Sequence, residues 1–227
     1  MSFKLKRPIA RDFFSLQSPR RVLGLLVIGL LLIFLAYDYR ISQRPKELSA
    51  EETAIGLEKV QQMIDMVRQS EFGQTERGRK LTQQAQYLLQ NGRIKFSAGL
   101  EMDSLYRKEF GSRSVLYIAV LRGRASVLWF DAESLARRIY HEVLHATVNS
   151  KRKSKEEECD AFCAAEEAAA TVEKRPPRYP VMRDGQSVWE WVHVAYPDIP
   201  SDPSYQPVDY TFAELAARTG MGIMNED

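Results

Sequence analysis

The apolar positions of this chain change their period several times. From Val22 to Tyr37 they run unbroken, as VLGLLVIGLLLIFLAY, with no charge and no proline. At about 1.5 Å of rise per residue this is slightly short of the roughly 20 residues that span a bilayer, yet inside the tolerated range. It predicts one transmembrane helix over 22–37, after an amino-terminal tail (1–21) and before a linker (38–48) that contains Pro45. Ser49-Ala50-Glu51-Glu52 then has the form of a capping box. Leu57, Val60, Ile64 and Val67 follow at helical spacing, predicting a helix to about Gln69. Gly73 and Gly78 interrupt the pattern, and a second helix runs from about Lys80 to Leu89, closed by Asn91-Gly92.

The period then shortens to two. Ile94-Lys95-Phe96-Ser97 alternates, Ser114–Leu121 is rich in β formers, and Ser126–Phe130 follows across Arg122–Ala125, so the last two predict a hairpin. Asp131 can cap a helix whose interior holds Leu135, Ile139, Val143 and Leu144. A basic loop, Asn149 to Lys153, leads to another helix, from about Ser154 to Val172. Lys174–Pro180 opens an extended arm (174–227), in which Ser187 with Glu190 and Thr211 with Glu214 start short helices. The pattern predicts an α+β fold: one domain over 49–227 with a small antiparallel sheet and two packed helices, preceded by the transmembrane helix.

Composition adds limits. A net charge of +2 over 227 residues, without a Lys/Arg stripe interleaved with aromatics, argues against nucleic acid as a partner. No A-x-A-like pair follows the apolar run, and Arg20-Arg21 fits a twin-arginine signal poorly, so an uncleaved anchor is favoured over a signal peptide. Lys4, Lys6, Arg7, Arg11, Arg20 and Arg21 precede the run, and Arg40, Arg44 and Lys46 follow it. That bias puts the amino terminus in the cytoplasm and the domain on the far side of the cell membrane. Cys159 and Cys163, four apart on one helix, are badly placed for a disulfide and read as small packing residues.

Only three histidines occur in the chain, and two of them form His141-Glu142-Val143-Leu144-His145. Residues four apart share a helix face, so both imidazoles can address one metal ion, with Glu142 beside it. H-E-x-x-H also arises by chance. Against chance stand the scarcity of histidine, the mid-helix position and the preceding sheet edge, where a substrate strand can dock.

A catalytic zinc usually takes a third protein ligand from another element. The next helix offers Glu156-Glu157-Glu158-Cys159-Asp160-Ala161-Phe162-Cys163-Ala164. This pattern resembles the gluzincins, zinc metallopeptidases of zincin fold whose downstream helix carries E-x-x-x-D or E-x-E-A-D/N-x-F-A. Among them it is similar to the ImmA/IrrE group and the heat-shock and prenyl-protein membrane peptidases, over about Ile94 to Ala170. The resemblance implies Glu156 as third zinc ligand and Asp160 as the acid that orients a histidine ligand, with Cys159 and Cys163 in place of small alanines. Only ten residues separate His145 from Glu156, fewer than in most members, so Glu157 and Glu158 stay open as ligands. Glu156 is preferred because it shares a helical face with Cys159, Asp160 and Cys163.

The expected activity is hydrolysis of peptide bonds in a protein or peptide substrate near the membrane, with Zn2+ as cofactor and Glu142 as general base on a zinc-bound water. His193, Tyr179 and Tyr196 are candidate oxyanion donors, and Ser114–Leu121 or Ser126–Phe130 is the candidate docking strand. The alternative is a non-catalytic envelope binding or scaffold protein that retains the fold. Oligomeric state stays open.

Overall fold

The computed structural model describes residues 19–42, 48–97, 104–108, 114–119, 131–150 and 152–221. The chain divides into two compact units, Met1–Arg44 and Pro45–Asp227. The first contains helix α1 (Pro19–Ser42), whose leucines from Leu23 to Leu35 are exposed. The expectation of a transmembrane helix is corrected here: no helix among the described residues is long and apolar enough to cross a membrane. The topology drawn from the flanking charges rested on that span.

The second unit begins with α2 (Ala50–Gln69), started by the capping box in which Ser49 and Glu52 satisfy each other's amides. One turn, α3 (Glu71–Gln74), links it to α4 (Glu76–Gln90). Helix α4 starts earlier than its apolar pattern suggests, because Thr75 caps it by accepting from the Gly78 amide. Gly73 and Gly78 are where the backbones cross: a Cβ on Gly78 would lie 1.9 Å from the Phe72 carbonyl oxygen.

The sheet has three strands among the described residues: β1 (Ile94–Ser97), β2 (Ser104–Lys108) and β3 (Ser114–Ala119), in the order β1-β3-β2. The expected antiparallel sheet is in fact mixed. β2 runs antiparallel to β3, but β1 runs parallel to it, with Ile94 opposite Leu116. β3 is therefore central rather than an edge, which rules out Ser114–Leu121 as the docking strand. The predicted strand 126–130 lies outside the described residues.

Two helices complete the core. α5 (Ala132–Val148) is capped by Asp131 and ends on Asn149 in the left-handed conformation. α6 (Lys155–Val172) is capped by Ser154, which accepts from the Glu157 amide. Ala161, Ala164 and Ala168 of α6 pack with Leu135, Ile139 and Val143 of α5 in the larger apolar cluster. Such small side chains let the two helix axes approach closely.

The arm is not a loose appendage. It forms a hairpin, β4 (Met182–Arg183) with β5 (Gln186–Ser187), then α7 (Val188–Ala195) and α8 (Phe212–Thr219). Its Val181, Val188, Val192, Tyr205 and Leu215 bury the opposite face of α6, around Cys159 and Cys163. Burial pushes both thiols far above their ordinary range, as suits packing residues.

A buried polar knot ties the arm to α4 and α6. Arg77 donates to Asp160 Oδ1 at 2.7 Å, to Glu167 Oε2 at 2.8 Å and to the Val208 carbonyl at 2.8 Å. Tyr205 and Tyr210 also donate to Asp160. Removing one partner of such a pair strands the other charge away from water. Arg77→Ala is expected to destabilise the domain by about 3–5 kcal/mol, measured by urea unfolding.

Candidate metal centre

One face of α5 carries His141 and His145, one turn apart, with ring centroids 5.1 Å from each other. The N-terminal turn of α6 faces them. Successive helix residues diverge by about 100°, so Glu156, Glu157 and Glu158 point in three directions although all are buried.

Glu158 points at the histidines. Its Oε2 lies 3.4 Å from His141 Nε2 and its Oε1 3.5 Å from His145 Nε2. Donor atoms of His141, His145 and Glu158 all fall within 4.8 Å of one another. In a tetrahedral shell with ligands at about 2.0–2.1 Å, neighbouring donors sit about 3.4 Å apart, so the spacing suits a small divalent cation. Lys153 Nζ approaches Glu158 Oε1 at 3.1 Å from a half-exposed position.

Glu157 does a different job. It accepts from His145 Nδ1 at 2.7 Å and from the Ser150 hydroxyl at 2.6 Å. With Nδ1–H committed there, the neutral ring presents its lone pair at Nε2, as a carboxylate behind a ligating histidine does. His145 Nε2 is also a buried side-chain nitrogen without a hydrogen-bond partner. A buried polar atom left unsatisfied is costly, and here it is aimed at the convergence of the three donors.

Glu156, preferred as third ligand from the sequence, is turned away. It accepts from the Ser201 hydroxyl and, at 2.7 Å, from the Asp202 amide, thereby anchoring the arm. The face it shares with Cys159 and Cys163 packs on the arm, whereas the alanine face meets α5. Asp160 likewise orients no histidine; its oxygens are taken by Arg77, Tyr205, Tyr210 and the Val208 amide.

Glu142 is buried beside the cluster and is held by the sheet. Its Oε1 accepts from the Ser104 hydroxyl at 2.9 Å and its Oε2 from the Tyr106 amide at 2.8 Å. The Leu116 amide turns toward β1, to the Arg93 carbonyl, so Tyr106 opposite it sits in a non-hydrogen-bonded pair. Its N–H therefore points off the outer edge of β2. The histidine helix thus lies along the free edge of the sheet among the described residues. Ser104 and Tyr106 escaped the sequence reading because β2, Ser104-Leu105-Tyr106-Arg107-Lys108, sets its apolar residues side by side and shows no alternation.

Of the candidate oxyanion donors, Tyr179 donates to Glu167 of α6, and His193 Nδ1 donates to the Trp189 carbonyl within the arm. Tyr196 differs. Burial, then the negative charge of Glu158, push its phenol above the ordinary range, with Arg183 opposing and Glu142 adding. Its side chain lies in the field of the histidine–glutamate cluster.

The same field governs His145. Burial alone would lower its pKa, but the hydrogen bond to Glu157 and the nearby negative charge of Glu158 outweigh it and raise the value to about 9. Glu158 is correspondingly held far below the usual carboxylate range by the two histidines, against its burial.

Comparison with protein-family models, curated proteins and solved structures gives no match. The functional reading therefore rests on the geometry.

Two outcomes follow from it. Glu158→Ala is expected to abolish tight zinc binding, Glu157→Gln to weaken it by about 10–100-fold, and Glu156→Gln to leave it within about twofold, by competition with a chromogenic chelator. For pH, a proton on His145 stabilises the metal-free fold fully below about 6.5 and is progressively lost as pH rises through about 9. A metal ion competes with that proton. The gap in Tm between zinc-loaded and chelator-treated protein is expected to widen from pH 6.5 to 9.5.

Proposed function

We propose that this protein is a zinc-dependent metallopeptidase, a hydrolase whose cofactor is held by His141, His145 and Glu158. The observation that carries the proposal is the buried Nε2 of His145, without a hydrogen-bond partner and aimed at a carboxylate and a second imidazole. Two imidazoles and one carboxylate are a donor set suited to zinc and leave a position open for chemistry. When bound, such an ion supplies Lewis acidity for the scissile carbonyl and for a water.

The chain's own groups do the rest. Glu157 fixes the tautomer and orientation of His145. A carboxylate has about four acceptor sites, and Ser104 and Tyr106 occupy two of those on Glu142. Glu142 retains capacity to take a proton from the attacking water and return it to the leaving amine, as a C–O bond forms and the C–N bond breaks. Tyr196, whose phenol feels the charge of Glu158, is the candidate donor for a developing oxyanion.

A second reading is a metal-binding scaffold without catalysis. One observation favours it: the bonds from β2 give Glu142 a structural use that needs no chemistry. Zinc-loaded full-length protein, assayed on casein and on a mixed peptide library, separates the two. Glu142→Gln is expected to keep its metal and to lose cleavage by about 10²–10⁴-fold. Undiminished cleavage by that variant would remove Glu142 as the base, and a wild-type protein that holds zinc and cuts nothing would establish the scaffold.

A further inference from the structure

We propose that Arg183, at the end of β4, is a specificity residue that receives a substrate carboxylate beside the metal cluster. The inference rests on the peptidase reading for its substrate class. Its basis in the fold is separate.

Phe162 lies on α6 one turn after Glu158, so the two share a face, and the Phe162 ring meets the His141 ring edge-on at 4.7 Å between centroids. The Arg183 guanidinium covers the same Phe162 ring at 5.1 Å and the Trp191 ring at 4.1 Å. A single aromatic ring therefore separates this cation from a candidate metal ligand. The hairpin that carries it is fixed independently. Asp184 and Gly185 both take positive φ at its tip, and the Trp191 indole N–H donates to Asp184 Oδ2 at 3.2 Å. The guanidinium is placed by its neighbours rather than swinging on a free loop.

Arg183 is exposed and has no carboxylate within ion-pair distance among the described residues. It differs in this from Arg77, Arg137, Arg175 and Arg218, each of which meets a glutamate of α6. Stacking on two rings accounts for its position but leaves its planar fork of N–H donors unused. A cation one ring away from the place where a divalent ion would bind gains nothing from that ion. It is suited to an anion lying beside the cluster, which both charges would attract. A carboxylate matches the fork bidentately. On a peptide that carboxylate is an acidic side chain near the scissile bond or the carboxyl terminus itself.

The test uses the full chain and four versions of one peptide: internal glutamate or glutamine, each with a free or an amidated carboxyl terminus. Binding is read by tryptophan fluorescence, since Trp191 underlies the guanidinium, with and without added zinc. At least one carboxylate-bearing version is expected to bind about tenfold tighter than its neutral twin, and which one shows the source of the carboxylate. Arg183→Gln is expected to erase that preference, and Arg183→Lys to restore only part of it. Equal binding of the twins, a preference that survives in Arg183→Gln, or no binding by any version at millimolar peptide would overturn the proposal. The two readings fail separately. A carboxylate preference without cleavage by zinc-loaded protein sinks the peptidase and spares Arg183; cleavage indifferent to carboxylate does the reverse.

Discussion

Six carboxylates buried on one helix are the constraint around which this domain is built. Glu156, Glu157, Glu158, Asp160, Glu166 and Glu167 of α6 are all withdrawn from water. An ionised group in the interior is tolerated only when paired and hydrogen-bonded. Elements on several sides of α6 therefore bring partners to it. Helix α4 contributes Arg77, α5 contributes Arg137 and the two histidines, and the arm contributes Arg175, Tyr179, Tyr205, Tyr210 and Arg218. The carboxyl-terminal arm is integral for this reason as much as for its apolar contacts.

Within that set Glu158 stands apart by the quality of its partners. Asp160 and Glu167 have arginine and phenol donors at hydrogen-bond distance, while Glu158 has only the half-exposed Lys153 at 3.1 Å and meets two imidazole nitrogens at ion-pair range. A helix whose other acids are closely matched holds one that is matched loosely, opposite a histidine nitrogen with no hydrogen bond at all. The contrast within one helix gives the site its weight, more than the count of acidic residues does. Acidic first turns are common, because the helix dipole favours them.

Much of this architecture was readable from local chemistry. Capping residues Ser49, Asp131, Ser154, Ser187 and Thr211 each start a helix, since a cap depends only on residues three apart. The pairing of His141 with His145 was readable for the same reason. What required tertiary information was phase. Spacing shows that Glu156 shares a face with Cys159 and Cys163 but not which neighbour that face meets, and the arm takes it. Asp160 could not be assigned because Arg77 is 83 positions away in the chain. The parallel pairing of β1 with β3 was hidden likewise, because β2 had not been recognised as the strand between them in sequence.

The protonation state of His145 links this electrostatic design to the proposed chemistry. Two carboxylates converge on that ring, from Nδ1 and from the side of Nε2, and together they hold a proton against the desolvation that would expel it. The balance is local: removing positive charge from the ring leaves Glu157 and Glu158 facing each other across it in a medium where repulsion is poorly screened. A cation is therefore required near Nε2 at any pH where the carboxylates stay ionised. A proton meets the requirement with a single charge and without directing His141. A divalent ion would meet it with two charges, held by both imidazoles and Glu158, with Nδ1–H left on Glu157. On the proposed reading, a metal would displace that proton more readily as pH rises.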